Sequence, residues 1–167
     1  MTAASQTDLT KTQAGDGHVE MSRNGASREA FPSLRRAGPF VFFSGTSPRE
    51  PNGAAAGDAV ARPGAIATDI RKQTKDCVEN VSDILRAAGG GLEHLVELTT
   101  YLVDMCDFAG YNEIYNQYFS HQGPARTTVA VNQLAHPDAL IEMKGVAYIA
   151  EDETAHKRNG VVKNGQR

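Results

Sequence analysis

Hydrophobic and polar residues alternate with a helical period in one long central segment of the chain. Apolar and small residues recur there three or four positions apart, as Ile70, Thr74, Cys77, Val81, Ile84, Leu85 and Ala88. This spacing predicts an amphipathic helix with one face in the core. Thr68 or Asp69 can cap its start, and Gly89-Gly90-Gly91 can end it.

Short apolar runs on both sides of this helix predict the strands of a sheet. Residues 40–43 read Phe-Val-Phe-Phe and end in Ser44-Gly45, and a turn at Gly38-Pro39 would pair them with a strand around 34–36. The remaining predicted elements are strands over 95–103, 126–132 and 140–149, and a second helix that Asp107 caps and Gly123-Pro124 stops.

The order of these elements predicts a mixed α+β sheet with both helices on one face, because each helix makes a right-handed crossover between strands. The strands at 95–103 and 140–149 are apolar on both faces, as strands covered on both sides tend to be. The helices can cover only one face. A second copy of the chain would cover the other, so the pattern predicts a homo-oligomer.

The two ends of the chain lack such a pattern. Thr, Gln, Asp, Gly and Ser dominate the start, and residues 151–167 contain only Val161 and Val162 as bulky apolar residues. Such segments bury too little to offset their ordering entropy, so we expect a disordered extension over 1–27, one domain over 28–150 and a polar tail. The Pro-, Gly- and Ala-rich stretch 48–64 is long for a loop, and long loops are usually functional or disordered.

Composition narrows the class of protein. The 167 residues carry a formal net charge of −3, which argues against nucleic acid as a partner because phosphate binding needs a basic surface. No apolar run is long enough to span a membrane, and the N-terminus lacks the apolar segment of an export signal. The two cysteines form neither a disulfide framework nor a metal cluster. We therefore expect a cytoplasmic protein.

Two charged side chains stand out. Arg126 follows Gly123-Pro124-Ala125 at the start of a strand, where its planar fork suits a carboxylate; the simpler interpretation is an exposed strand end. Glu142 lies between apolar residues in the last strand. It could position or deprotonate a water if it faces a cleft, or it could mark the solvated face of an alternating strand.

Other polar and aromatic residues give weaker signals. His136, in a turn-rich segment, could shuttle a proton, although a plain turn residue is the simpler interpretation. Cys106 precedes the second helix, whose N-terminus could lower its thiol pKa, but no histidine lies nearby in sequence to activate it. Asn112 and Tyr115 lie on one side of the second helix, where aromatic packing with one polar cap is the simpler interpretation.

Taken together, these residues resemble a known family. The motifs are Phe43-Ser44-Gly45, Asp107-Phe108-Ala109 with Tyr111-Asn112 and Tyr115, Gly123-Pro124-Ala125-Arg126-Thr127, and Ile141-Glu142. In this order they resemble the RidA/YjgF family of enamine/imine deaminases, over residues 31–150. Within it the chain is most similar to the 2-aminomuconate deaminase branch, on Ser44-Gly45-Thr46-Ser47, the insertion before the first helix, Arg71-Lys72-Gln73-Thr74, Tyr101-Leu102-Val103 and residues 124–131.

The resemblance implies a chorismate-mutase-like homotrimer, with the uncovered sheet face in a central barrel and active sites in clefts between subunits. It implies that Arg126 clamps the substrate carboxylate and that Glu142 holds the attacking water. Asn112 and the Ser44-Gly45 turn would line the pocket, and Tyr115 and His136 are further candidates for substrate binding. No metal or organic cofactor is expected.

For substrate, the resemblance implies hydrolysis of 2-aminomuconate to 4-oxalocrotonate and ammonia in the catabolism of aromatic compounds. A dicarboxylate needs a second cation. Arg49 in the long loop is our candidate, with Arg35 and Arg36 behind it, although an exposed loop charge is the simpler interpretation of Arg49.

Two positions depart from the family pattern. Thr128 stands where many relatives carry a cysteine, and Phe31 stands where a tyrosine is expected. Both departures argue against simple amino-acid imines as substrates. The alternatives are a general 2-iminobutanoate/2-iminopropanoate-type deaminase and a non-catalytic member that binds a small metabolite.

Overall fold

A computed structural model of the chain describes residues 9–13, 19–23, 32–48 and 69–150. Within these ranges, strands form one sheet and the longer helices lie on one side of it. The strands are β1 (Leu9–Gln13), β2 (Val19–Arg23), β3 (Leu34–Ala37), β4 (Phe40–Thr46), β5 (Leu95–Leu102), β6 (Ala125–Ala130) and β7 (Ile141–Tyr148). The helices are α1 (Ile70–Ala87) and α2 (Phe108–Tyr118), and short 3-10 turns at Leu92–His94 and Met105–Asp107 precede β5 and α2.

The strand order across the sheet is β1-β2-β3-β4-β7-β5-β6. Among these strands β5 and β6 are parallel, and the other neighbouring pairs are antiparallel. The connections through α1 (from β4 to β5) and α2 (from β5 to β6) step in the same direction across the sheet, so right-handed crossovers put both helices on one face. The predicted mixed α+β fold is confirmed.

Helix α1 and the β3–β4 hairpin form where the sequence predicts them. Asp69 caps α1, because its Oδ1 accepts a hydrogen bond from the Arg71 N–H at 2.9 Å. The helix ends just before Gly89, which has a φ of +87°. In the hairpin turn Gly38 has a φ of +57°, a region that favours glycine.

The start and the end of α2 differ from the prediction. Asp107 makes no capping hydrogen bond with its side chain. Asp104 caps the preceding 3-10 turn instead, and its Oδ1 accepts from the Cys106 N–H at 2.8 Å. The helix ends at Tyr118, ahead of Gly123-Pro124, because the backbone of Phe119 is extended. The ring of Phe119 packs on that of Tyr115 with centroids 4.6 Å apart.

The N-terminal region also differs from the prediction. Residues 9–13 and 19–23 lie in the segment whose composition predicted disorder, yet they pair antiparallel, and β2 continues the sheet from β3. Residues 19–23 read Val-Glu-Met-Ser-Arg, an alternation of apolar and polar residues that suits a strand and that the average composition conceals. The predicted tail 151–167 and residues 49–64 of the predicted loop lie outside the described residues.

The core lies between the sheet and the helices. Leu34, Val41, Leu98, Ile141 and Met143 contribute from the strands, and each is at most 1% exposed. Cys77 lies in the same core, as predicted. None of the helices in the described ranges combines the length and the apolar character that a membrane crossing requires.

The sheet face opposite the helices, the open face, carries large apolar side chains that the described residues leave uncovered. Phe40, Phe42, Val96, Val129 and Tyr148 are between 40% and 47% exposed. The sequence predicted that the strands now seen as β5 and β7 would be apolar on both faces. Instead, β4 contributes most to the apolar surface of the open face, whereas β5 and β7 add polar residues such as Glu97 and Lys144. The expectation that two helices cover only one face is confirmed.

Candidate active site

Arg126 lies on the edge strand β6 and faces helix α2. Its Nη1 donates a hydrogen bond to Asn112 Oδ1 at 2.8 Å. Its guanidinium carbon is 4.5 Å from the centroid of the Tyr115 ring and lies 5.7 and 5.8 Å from those of Tyr111 and Phe108. These contacts hold the cation against aromatic rings and leave other N–H groups of the fork available to a carboxylate.

The rings of Phe108, Tyr111 and Tyr115 form an aromatic wall beside Arg126. The geometry of α2 explains how this wall forms. Tyr111 and Asn112 each lie three or four positions from both Phe108 and Tyr115, so these side chains share one side of the helix. Tyr111 is fully buried, and its hydroxyl is 3.1 Å from that of Thr100 on β5, which fixes the helix against the sheet. Burial raises the pKa of Tyr115, Tyr111 raises it further and Arg126 opposes the shift, so the phenol stays neutral at ordinary pH.

Glu142 lies in a second cluster, at the end of β4. Its Oε2 accepts a hydrogen bond from Ser47 Oγ at 3.0 Å. Its Oε1 lies over Gly45, so closely that a Cβ at that position would overlap it. A glycine is therefore required at position 45 for the carboxylate to occupy its place.

An irregularity in β4 brings Gly45 under this carboxylate. Phe43 pairs with Gly145 of β7 and Thr46 pairs with Met143, so β4 contains one extra residue between them. The Ser44 hydroxyl donates to the Pro32 carbonyl at 2.7 Å. Of the two turn residues that, with Asn112, were predicted to line the pocket, Gly45 contacts Glu142, whereas the Ser44 hydroxyl contacts the segment before β3.

Helix α1 supports this cluster from inside the core. Asn80 Nδ2 donates to the Ser47 carbonyl at 2.8 Å, and Cys77 Sγ is 3.5 Å from the Thr46 carbonyl. Burial raises the pKa of the Cys77 thiol well above its ordinary value, and the nearby Glu142 adds to the shift. The sequence alone gives no sign of Asn80 or of the role of Ser47, although Ser47 belongs to a motif that carries the family resemblance.

Arg126 and Glu142 lie on opposite faces of the sheet. Arg126 aligns with Leu98 of β5, and Glu142 aligns with Tyr101. The two residues are thus separated by about 10 Å along the strands and about 10 Å across them. Arg126 faces α2, whereas Glu142 alternates with the buried Ile141 and Met143 and faces away from the helices. One copy of the chain does not bring them together.

His136 belongs to a buried turn that packs on α1. Its Nδ1 accepts a hydrogen bond from the Asp138 N–H at 3.1 Å. Gln73 of α1 donates to the Asp138 carbonyl at 2.8 Å and accepts from the Leu140 N–H at 2.7 Å. These contacts fit the interpretation of His136 as a turn residue.

The environment of Cys106 contradicts the expectation of a lowered thiol pKa. The hydrogen bond with Asp104 and the charge of that carboxylate raise the pKa of Cys106, and Asp107 adds to the shift. The neighbouring carboxylates outweigh the helix N-terminus, so this thiol is a poor nucleophile at neutral pH.

Three arginines are candidates for the cation that would bind the second carboxylate of a dicarboxylate, and their environments differ. Arg49 lies outside the described residues. Arg36 donates to the carbonyls of Ala88 at 2.8 Å and Ile149 at 3.1 Å, near the C-terminal end of α1. Arg35 is exposed on β3, opposite Phe42.

Several known proteins are similar to this chain in sequence and in fold. The family model described as Endoribonuclease L-PSP matches residues 24–149. A RutC family protein of Pyrococcus abyssi is 41% identical over 113 residues, which cover 68% of this chain and 81% of that protein. The 3-aminoacrylate deaminase RutC of Acinetobacter baylyi is 34% identical over 114 residues, covering 68% of this chain and 82% of that protein.

A solved structure agrees with these relatives. RidA from an Antarctic Psychrobacter bacterium matches with a TM-score of 0.61 and 28% identity, covering 75% of this chain and 93% of that chain. The names RutC and RidA support the family without singling out the 2-aminomuconate branch. With the family model matching most of the chain and the sheet carrying both helices on one face, the protein belongs to the RidA/YjgF family.

Proposed function

We propose that this protein is a hydrolytic deaminase of carboxylate-bearing enamines and their imine tautomers, with 2-aminomuconate as its substrate. The observation that carries the proposal is the guanidinium of Arg126, held by Asn112 and an aromatic wall with N–H groups left for a carboxylate. The Acinetobacter relative supports the reaction class, since it is named for 3-aminoacrylate, an enamine that bears a carboxylate.

The complete site, in this proposal, forms between copies of the chain in a homotrimer. Arg126 and Glu142 are too far apart to act on one small molecule within a single copy. Exposed apolar side chains on the open face, Phe40 and Phe42 among them, favour burial against a neighbouring copy. A copy that covers this face can bring its own Glu142 toward Arg126 on the edge strand β6.

The chemistry uses few groups. Tautomerisation moves a proton from the enamine nitrogen to carbon and makes the C=N carbon electrophilic. Arg126 binds the adjacent carboxylate, and Glu142 orients a water and accepts its proton as the C–O bond forms. Glu142 passes this proton to the nitrogen of the tetrahedral intermediate and relays the remaining hydroxyl proton in the same way. The C–N bond then breaks, ammonia leaves and a ketone remains. From 2-aminomuconate and water the products are 4-oxalocrotonate and ammonia.

The second carboxylate of 2-aminomuconate needs a further cation. Arg49 remains our proposed partner for it. Arg36 is engaged with main-chain carbonyls, so the exposed Arg35 is the better described alternative.

Ammonia release tests the proposal. The purified protein is assayed on 2-aminomuconate and, in parallel, on imines of small 2-amino acids. Faster release from 2-aminomuconate is the expected result. Equal or slower release would contradict that substrate and support the general deaminase. Binding of 2-aminomuconate without release of ammonia from any compound would support the non-catalytic alternative.

A further inference from the structure

The two oxygens of the Glu142 carboxylate have different surroundings. Oε2 accepts the hydrogen bond from Ser47 Oγ at 3.0 Å. Oε1 lies over Gly45 and has no hydrogen-bond partner within the part of the chain that the structure describes. We infer that Ser47 is a positioning residue that holds Oε2, so that Oε1 is the oxygen that receives the attacking water. This inference rests on the proposed function of Glu142.

Ser47 can do this because the core holds its own backbone. Asn80 is fully buried, and its Nδ2 donates to the Ser47 carbonyl at 2.8 Å. Cys77 contacts the carbonyl of the preceding residue, Thr46, at 3.5 Å. Ser47 itself is 9% exposed. The backbone that carries the hydroxyl is therefore held by α1, an element distant in sequence from both β4 and β7.

The physical effect is preorganisation of a flexible carboxylate. The terminal torsion of a glutamate has a broad, roughly two-fold profile, so an unrestrained carboxylate samples many orientations. The Ser47 hydroxyl on one side and the Gly45 backbone on the other restrict this rotation before substrate binds. A displacement of about 1 Å at a reacting group can lower a rate by about 100-fold.

Kinetics on 2-aminomuconate distinguish positioning of Glu142 by Ser47 from a merely structural role of the residues at the end of β4. Ser47→Ala is expected to lower kcat by about 10- to 100-fold and to change KM by less than about threefold, because Glu142 holds the water rather than the substrate. Ser47→Thr keeps the hydroxyl and is expected to stay within about threefold of the parent. Thr46→Val is the matched control, since its hydroxyl donates to the Ser44 carbonyl at 3.0 Å and does not contact Glu142.

Crystal structures of the same variants give a readout that does not depend on turnover. The Glu142 carboxylate is expected to rotate in Ser47→Ala and to keep its place in Ser47→Thr and Thr46→Val. An unmoved carboxylate in Ser47→Ala, a kcat for it within about twofold of the parent, or an equal loss in Thr46→Val would each overturn the inference. If the parent releases no ammonia, the proposed function fails, and the position of the carboxylate still decides whether Ser47 holds it.

Discussion

Gly45→Ala is expected to lower activity while it leaves the fold nearly as stable. The new Cβ would lie 2.9 Å from Glu142 Cδ and closer still to Oε1, whereas ordinary contacts begin at 3.4 Å. The carboxylate must therefore shift by at least about 0.5 Å, and more at Oε1. A displacement of this size at the group that orients water corresponds to a loss of about 10- to 100-fold in kcat.

Stability should change little because Gly45 is exposed and its φ is not positive. Gly38→Ala is the matched control. No atom lies within 4 Å of a Cβ at that position, but the φ of +57° strains a side chain. We expect Gly38→Ala to reduce the free energy of unfolding by about 1 kcal/mol and to leave kcat unchanged.

The assay pairs ammonia release from 2-aminomuconate with thermal unfolding for both variants. The expected pattern is reciprocal, with Gly45→Ala losing activity and Gly38→Ala losing stability. Parent-like kcat in Gly45→Ala would refute the assignment of Glu142 as the group that orients the water. A matching fall in unfolding temperature and kcat in both variants would show that the activity loss follows from stability alone.

Three further results are expected. Arg126→Ala should lower kcat/KM for ammonia release by at least about 100-fold, because a charged carboxylate contact is lost, and should leave the proposed oligomer intact by light scattering. Retained activity would remove Arg126 from the site. Phe42→Asp should dissociate the proposed oligomer in sedimentation velocity, whereas the same charge added on α2 by Gln117→Asp should not. An intact Phe42→Asp oligomer would contradict the open face as the interface. Asp104→Asn should lower the raised pKa of Cys106, so iodoacetamide should modify that thiol faster at pH 8, and an unchanged rate would contradict the effect of Asp104.

The proposed function depends on two clusters that lie far apart on one chain. Arg126 with its aromatic wall is organised by α2, and Glu142 with Ser47 is organised by the irregularity in β4 and by α1. Neither cluster alone has both a carboxylate-binding group and a water-binding group. The proposed site is therefore tied to assembly, and any change that separates copies should also remove activity.

Local features of this fold could be predicted from the sequence because neighbours in the chain determine them. The apolar period of α1, its cap at Asp69 and the turn at Gly38 are examples. Prediction from neighbouring residues failed where two candidate capping residues lie close together in the sequence. Asp104 and Asp107 both precede α2, and only the backbone path shows that Asp104 caps the turn. Alternation within a few residues of the N-terminal region was masked by the polar composition around it.

From β3 onward, the sequence by itself determined the strands and the two longer helices, their order, the one-sided placement of the helices and the identity of the charged candidates, Arg126 and Glu142. Tertiary structure alone decided which face each charge occupies and which groups hold it. Ser47 and Glu142 are 95 positions apart, and their contact exists because β4 pairs with β7 with one extra residue. Such a contact depends on strand register rather than on neighbouring residues, since a shift of one residue would turn the carboxylate to the other face of the sheet.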